Sequence, residues 1–464
     1  SCGANRVSAR CRPGSTRAWP LKGETPDMSE ENVCQAVSSP VKALTWTTLA
    51  FFAGFAGVSA FGPIIAKLKE TMDLSPMWMA LLASCPALTG SLLRIPFGAM
   101  VDRTGGKTPI VILLGLATAG IAGMTLLFAV APAPTAAHYP LFLLCGVLSG
   151  SGIAVFSVGI PAVSYWYPQR KQGSALALYA GLGNLAPGLF AMLLPWMVMA
   201  LGFISAYIFW FAMLVLLLIF VFVFMKDAPY FQYRQMGIDI DPDALLHVCG
   251  QELFPSGKAM DSIRKAAADW RTWALTFFYF VSFGGFIALT VWLPTYWAEF
   301  FGTSLVMAGL LTAAYSLSSS LLRVLGGFVS DGLVGETVVL VSFVAVTLGG
   351  LMMTLATAAF GIALTGQMIL ALGMGFANAA VFKLVPKYSP RAVGGAAGIV
   401  GGLGAFGGFV IPPLMGLFVK LFGDAGYARG FTVFVVLAIL SLAVFFVLNR
   451  YAPSQDIAAA SGKG

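Results

Sequence analysis

The sequence predicts an all-α membrane protein with twelve transmembrane helices in two six-helix bundles. The first observation is composition: 58% of the 464 residues are hydrophobic and only 10% are charged, whereas soluble domains carry roughly 25% charged residues. The second is a set of twelve apolar segments of about 20 residues or more, each long enough to cross a hydrocarbon core roughly 30 Å thick. The third is a polar stretch, 227–271, that separates the first six segments from the last six.

The apolar segments divide evenly between the two predicted bundles. We place the first bundle at 43–226 and the second at 272–450. The segments centre near residues 55, 89, 120, 150, 186 and 214 in the first bundle and near 284, 317, 348, 372, 406 and 438 in the second.

The remaining parts of the chain are polar. Residues 1–42 are predicted to be a cytoplasmic N-terminal segment, in which the Arg-rich residues 1–27 have the character of an upstream extension before Met28. We expect 227–271 to be a plain cytoplasmic linker, with a short surface helix at DIDPDALLHV as the alternative, and 451–464 to be a cytoplasmic tail.

The basic residues predict the orientation of the chain. With a cytoplasmic N-terminus, 21 of the 27 Lys and Arg residues fall on the cytoplasmic side. Those on the other side are Lys67, Lys69, Lys420 and Arg429. This asymmetry follows the positive-inside rule and predicts a multi-pass protein of the cell membrane with both termini cytoplasmic. The net charge of +8 therefore reflects the basic residues on the cytoplasmic side of the membrane. It does not favour a nucleic-acid partner.

Several classes of function are disfavoured by what the sequence lacks. The six cysteines show no CxxC pair and no metal-ligand spacing, so we expect neither a metal site nor a cofactor. The sequence also shows no Ser/His/Asp set and no paired carboxylates at membrane depth, so an enzyme is the least favoured reading.

Two stretches of the sequence repeat each other. SLLRIPFGAMVD and SLLRVLGGFVSD lie 229 residues apart, and each opens with SLLR (Arg94, Arg323) and ends on an aspartate eight residues later (Asp102, Asp331). The two copies fall in the second helix of each half. WYPQRKQGSALAL and KYSPRAVGGAAGI form a second echo before the fifth helix of each half. Parallel repeats of six helices are a known plan of transporters, with the substrate held between the halves.

The repeated arginines mark the candidate substrate site. Eight helical residues separate each from its terminal aspartate, which places Arg94 and Arg323 about 12 Å inside the membrane. A charged arginine facing lipid costs at least ~2.5–3.5 kcal/mol there. All 19 Asp and Glu residues lie in loops or at helix ends, so a buried Arg–carboxylate pair is disfavoured. Two unpaired guanidinium groups predict a site for a small planar anion.

The positions of the ionisable residues also bear on energy coupling. The two histidines, His138 and His247, fall in an external loop and in the linker, and no acidic residue lies at midplane depth. A proton pathway usually needs such groups. Anion exchange is therefore favoured, and proton-coupled symport is kept as an alternative.

Four motifs of the chain resemble those of a known family. RIPFGAMVDRTGGK, GLGN, GGLGAFGGFVIP and GFANAAVFKLVP resemble the nitrate/nitrite porter family of the major facilitator superfamily, and the resemblance spans residues 43 to 450. It implies the major facilitator fold, with two bundles that alternate access to a central nitrate or nitrite site. It also implies that arginines of the second and eighth helices, here Arg94 and Arg323, clamp the anion.

The resemblance implies further site residues. Aromatic side chains around the anion match Tyr279, Phe283 and Phe156. Two amides and three glycines of the signature motifs are carried over as substrate-site candidates: Asn184, Asn378, Gly183, Gly407 and Gly408.

The resemblance also implies gating residues. DRTGGK resembles a general major-facilitator motif at the cytoplasmic ends of the helices, which makes Asp102 and Arg103 candidates for gating. Asp331 is the candidate of the second copy, DGLVGE, which lacks the basic residues.

The sequence leaves alternative functions open. A porter for another small anion, such as a carboxylate, would use the same arginines, and a membrane sensor would bind the anion without moving it. We expect a monomer in the lipid bilayer, with nitrate and nitrite as ligands and protons as a possible coupling ion.

Overall fold

The computed structural model describes residues 39–451, apart from 63, 238–244, 247–250, 256–258, 333, 356–358 and 390–391. The predicted N-terminal extension, almost all of the C-terminal tail and most of DIDPDALLHV therefore lie outside the described residues. The described part is helical throughout, without a strand.

Twelve helices of the described chain have the length and apolar composition needed to cross a membrane, which confirms the predicted number. We number them α1–α12 in chain order. Those of the first half are Pro40–Ser59, Pro76–Thr104, Lys107–Val130, Ala136–Ser164, Lys171–Leu201 and Phe203–Phe224. Those of the second half are Trp270–Phe300, Leu305–Gly327, Gly335–Leu355, Phe360–Tyr388, Val393–Phe422 and Ala425–Tyr451.

The two halves meet along two long helix pairs. Helix α2 of the first half packs against α11 of the second, and α5 packs against α8. These pairs are related by the internal repeat, since α2 and α8 carry the two SLLR copies and α5 and α11 carry the Gly-rich signatures. The repeated sequences therefore lie where the halves touch.

Small residues permit the close approach of helices within each half. A Cβ atom added at Gly150 of α4 would lie 1.9 Å from the Pro86 carbonyl oxygen of α2. One added at Gly54 of α1 would lie 2.4 Å from the carbonyl oxygen of Gly152. Backbone thus packs directly on backbone, as is usual where membrane helices associate through van der Waals contact.

Interruptions of the helices occur at the level of the repeated arginines. Helix α2 is broken at Leu93, immediately before Arg94. Helix α5 is broken at Leu185, two residues before Pro187, where the segments Gln169–Asn184 and Ala186–Leu201 meet. Helices α7 and α11 are irregular too, with π-helical bonding at Phe280–Gly284 and a break at Phe406.

The described part of the segment between the halves is partly helical. It contains short helices at Pro229–Gln235 and Ala259–Ala267. The second one docks on the start of α11, where Ser262 Oγ accepts a hydrogen bond from the Gly395 N–H at 3.0 Å. The sequence did not predict these helices because they are short and polar, and docking stabilises them more than their own length does.

One carboxylate secures the start of the segment. Asp227 is 6% exposed and accepts a hydrogen bond from the Lys107 N–H at 2.8 Å, in the first turn of α3. Burial raises the pKa of Asp227, while the bond from Lys107 opposes that rise. The contact ties the chain just after α6 to the first turn of α3.

Candidate functional site

Arg94 is a buried cation held partly by backbone oxygens. Its side chain is 1% exposed. Nε donates to the Gly90 carbonyl at 3.0 Å, and Nη1 donates across the interface to the Gly401 carbonyl of α11 at 2.9 Å. Nη2 is buried and has no hydrogen-bond partner among the described residues. The side chain is thus fixed in direction, and the Nη2 amino group is left for a ligand.

Arg323 faces the same place from the other half. It is half-buried, and its Nη1 is buried without a partner among the described residues. Its guanidinium carbon lies 5.4 Å from the ring centroids of both Phe156 and Phe283. The guanidinium carbon of Arg94 lies 5.0 Å from the same two centroids. The arginines of the two halves therefore lie beside the same two rings, Phe156 and Phe283, and form one site.

No acid among the described residues forms an ion pair with either arginine. The ion pairs of the described chain, Lys69–Glu299, Arg271–Asp269 and Lys387–Glu336, lie at helix ends or in connections and involve neither arginine. The faces of aromatic rings attract a cation, which offsets part of the cost of burying it. Ring faces are nevertheless weaker partners than a carboxylate, so the site retains excess positive charge.

The predicted aromatic residues come together around the arginines. The rings of Phe156 and Phe283 are stacked with centroids 6.0 Å apart, and Tyr279 stacks on Phe283 at 4.9 Å. The Tyr279 hydroxyl is buried and lacks a partner among the described residues. The site thus offers a hydroxyl as well as ring faces.

Sequence reasoning missed two aromatic residues of α1. Phe51 lies 5.2 Å from Phe156, and Phe55 lies 6.1 Å from Phe283, between ring centroids. Phe51 and Phe55 stack on each other at 5.1 Å, as Tyr279 and Phe283 do in α7. Each stands 228 residues before its counterpart, so the internal repeat was the signal that could have found them.

The two predicted amides are both buried. Asn184 is 1% exposed, and its Nδ2 donates to the Ala180 carbonyl at 2.7 Å. The backbone carbonyl of Asn184 accepts from Ser320 Oγ of α8 at 2.9 Å. Asn378 is 2% exposed. The Oδ1 atoms of Asn184 and Asn378 have no partner among the described residues, so both can still accept a hydrogen bond.

The three candidate glycines are packed against neighbouring helices in this structure. A Cβ added at Gly183 would lie 1.9 Å from the ring of Phe51, and one at Gly407 would lie 2.4 Å from the Phe280 carbonyl. One at Gly408 would lie 2.6 Å from a side chain of α7. This supports helix packing as the reason for these glycines. Direct contact between their backbone and a substrate stays a prediction.

The candidate gating residues lie at the far end of α2. The Asp102 carboxylate accepts a hydrogen bond from the Tyr165 hydroxyl at 2.7 Å, and Arg103 is exposed. Burial raises the pKa of the Tyr165 hydroxyl, and the hydrogen bond to Asp102 adds to the rise. Asp331 follows the end of α8 by four residues, and its side chain lies outside the described residues.

The halves are also joined at the opposite end. Lys69, between α1 and α2, forms an ion pair with Glu299 at the end of α7, with 2.5 Å between Nζ and Oε2. Both side chains are partly exposed, so the pair contributes only about 0–1 kcal/mol. Two small pockets lie toward this end, and their mostly apolar linings do not include the arginines.

Twelve membrane-spanning helices in two repeats, with a cationic site where the repeats meet, define a membrane transporter. Residues 47–331 and 275–463 match the family model of the Major Facilitator Superfamily. The chain belongs to that superfamily and, within it, to the nitrate/nitrite porter family.

Known proteins agree with this assignment. A "Nitrite extrusion protein" of Bacillus subtilis (strain 168) is 30% identical over 402 residues, which cover 86% of this chain and 92% of that protein. A "probable nitrate/nitrite antiporter" of Thermus thermophilus is 29% identical, over 81% of this chain and 84% of that protein. The solved xylose transporter XylE from E. coli shares the fold, with a TM-score of 0.66 at 12% identity, over 90% of this chain and all of that one.

Proposed function

We propose that this protein carries nitrate and nitrite across the cell membrane by alternating access, with the anion clamped between Arg94 and Arg323. The observation that carries the proposal is the convergence of two guanidinium groups from opposite halves on Phe156 and Phe283, with no acid beside them in the described chain. The names of the relatives support nitrate and nitrite as the anions.

The chemistry of the site suits a small planar anion. A guanidinium group presents parallel N–H donors that match two oxygens of one planar anion, and a buried setting strengthens such charge-assisted bonds. Arg94 Nη2, Arg323 Nη1 and the Tyr279 hydroxyl are three donors at this site that lack a partner among the described residues. An anion between the arginines would satisfy these donors at the same time.

The proposed clamp also links binding to the movement of the halves. Because Arg94 belongs to the first half and Arg323 to the second, an anion between them would draw α2 and α8 together by its charge. Without an anion, the two like charges would repel. Closing the site around the substrate is therefore favoured only when the substrate is present.

Exchange of nitrate for nitrite is the proposed coupling mode. The described membrane helices place no acidic side chain beside the arginines, so a proton carrier is not evident in the binding site. If an empty site strongly disfavours closure, the carrier returns fastest with a second anion bound, and this produces exchange. We propose both termini on the cytoplasmic side, which places Asp102 at the cytoplasmic end of α2. We expect a monomer.

Counterflow in proteoliposomes tests both the substrate and the coupling mode. With nitrite inside and labelled nitrate outside, at equal pH, we expect uptake at least about tenfold faster than into vesicles without internal anion, because loaded carriers return more readily. Uptake that needs a proton gradient and ignores internal nitrite would contradict exchange. Failure of excess nitrate to compete with a transported carboxylate would contradict the substrate assignment.

A further inference from the structure

Helix α4 is irregular where it carries Phe156. Residues Ser151–Ala154 form a turn of 3₁₀-helix, and Pro161 lies inside the helix after Phe156. A proline has no N–H to donate, so it leaves a gap in the hydrogen bonds of the helix. The Phe156 ring lies beside both arginines, 5.0 Å from the guanidinium carbon of Arg94 and 5.4 Å from that of Arg323. The backbone that carries this ring is thus less strongly fixed by its own helix.

Tyr179 of α5 supports this backbone from outside. Tyr179 is 0% exposed, and its hydroxyl donates to the carbonyl oxygens of Val155 at 2.9 Å and Phe156 at 3.0 Å. A hydroxyl has one hydrogen, so the two carbonyls share it. The backbone N–H of Gly159 donates to the hydroxyl oxygen. The hydroxyl is therefore bonded to the main chain of α4 on both sides of one helical turn.

Gly159 provides the space that the hydroxyl occupies. A Cβ added at Gly159 would lie 2.1 Å from the hydroxyl oxygen of Tyr179, closer than two such atoms can approach. Any side chain at this position would push the hydroxyl away from α4. The absence of a side chain in α4 is thus matched to the presence of a hydroxyl in α5.

The ring of Tyr179 supports Phe156 as well. The two rings are nearly parallel, with an interplanar angle of 15° and centroids 6.4 Å apart. Phe51 of α1 packs against both rings, with its centroid 5.2 Å from each. A chain of contacts therefore runs from Tyr179 through Phe156 to the two arginines of the site.

The second half of the chain lacks the equivalent hydroxyl. WYPQRKQGSALAL begins at residue 166 and KYSPRAVGGAAGI at residue 387, so the repeat matches Tyr179 with Val400. The AVF sequence that ends on Phe156 recurs in α10 as the AVF that ends on Phe382. A valine side chain donates no hydrogen bond. The packing of a six-helix bundle therefore does not itself require the hydroxyl, which favours a role at the site.

We propose that Tyr179 is a positioning residue of the anion site, whose hydroxyl holds the backbone of α4 so that the Phe156 ring lies beside both arginines. The inference rests on the proposed anion clamp and adds a residue that sets its geometry. A cation is attracted to a ring face within about 6 Å of the centroid. Arg323 is close to that limit at 5.4 Å, so a shift of the ring by about 1 Å ends the contact.

Tyr179→Phe keeps the ring and removes the hydroxyl. The Phe156 ring then moves away from Arg323, and this arginine is less well oriented for the anion before binding. We expect KM for nitrate to rise about fivefold, while the maximal rate per folded molecule stays within about twofold of the wild-type rate. A merely structural role would lower the amount of folded protein and leave KM unchanged, so the split between KM and rate distinguishes the two roles.

Tyr207 of α6 offers a matched control. It is also 0% exposed, and its hydroxyl donates to the Ala60 carbonyl of the same half. Its ring packs on Phe128 and Trp210, away from the arginines. Tyr207→Phe should therefore keep the wild-type KM. Wild-type KM in Tyr179→Phe, or an equal rise of KM in both variants, would overturn the proposal.

A double-mutant cycle with Phe156→Leu shows how Tyr179 acts. If the hydroxyl acts through the Phe156 ring, its removal has no further effect once that ring is absent. We expect Phe156→Leu and the double variant Phe156→Leu/Tyr179→Phe to have the same KM within about twofold. A further rise of KM in the double variant, equal to that of Tyr179→Phe alone, would overturn positioning through Phe156.

A structure of anion-free Tyr179→Phe tests the inference independently of transport. We expect the Phe156 centroid to lie more than about 6 Å from the guanidinium carbon of Arg323. A ring that keeps its wild-type position would overturn the proposal. Wild-type protein that does not transport nitrate contradicts the proposed function instead, and the position of the Phe156 ring can be measured in either case.

Discussion

Arg94→Ala and Arg323→Ala are each expected to reduce nitrate uptake into proteoliposomes at least about a hundredfold, since each removes one side of the charge that holds a buried anion. Arg→Lys at either position should also impair transport strongly, because an ammonium group lacks the planar pair of donors. The measurement is the initial rate of labelled nitrate uptake at matched amounts of reconstituted protein.

The control for this pair is Arg429→Ala. The guanidinium carbon of Arg429 also lies over a phenylalanine ring, 4.8 Å from the Phe422 centroid, but Arg429 is exposed at the start of α12. Its removal should leave uptake near the wild-type rate. Near wild-type uptake by either Arg94→Ala or Arg323→Ala would remove the basis of the clamp.

Gly150→Leu is expected to abolish recovery of monodisperse protein from the membrane. The first atom of the new side chain would lie 1.9 Å from the Pro86 carbonyl oxygen, and α2 and α4 cannot separate without disturbing the Arg94 and Phe156 that they carry. The smaller change Gly150→Ala should destabilise the protein by about 1–3 kcal/mol, the usual range for overpacking. Size-exclusion chromatography and thermal unfolding in detergent measure the two effects.

Gly115→Leu is the matched control for helix packing. Gly115 lies in α3, and a Cβ added there meets no atom within 4 Å. The variant should behave like wild-type protein in both assays. Equal behaviour of Gly150→Leu and Gly115→Leu would show that the contact between α2 and α4 does not limit folding.

The fold was predictable because each helix that crosses a membrane needs an apolar segment of a minimum length, and such segments are visible in the sequence. Each of the twelve helices needed its own apolar run, and the two SLLR copies disclosed the repeat before any contact was known. Arg94 and Arg323 could be paired because all acidic residues fall elsewhere in the sequence. A charged arginine has a high free-energy cost in lipid, and this cost indicated that Arg94 and Arg323 face a site inside the protein.

Composition alone does not disclose the other parts of the site. Phe51 and Phe55 are ordinary residues for a membrane helix, so composition does not distinguish them from lipid-facing aromatics. The bond from Arg94 to the Gly401 carbonyl depends on backbone that every residue type shares. The Lys69–Glu299 pair joins residues 230 positions apart in the sequence, and only the packed halves bring them together.

The most direct test of the clamp is a high-resolution structure determined with saturating nitrate. We expect anion density between Arg94 Nη2 and Arg323, beside the rings of Phe156 and Phe283, with loss of that density in Arg323→Ala. Nitrate bound elsewhere in the protein while the space between the arginines holds no anion would contradict the proposed clamp.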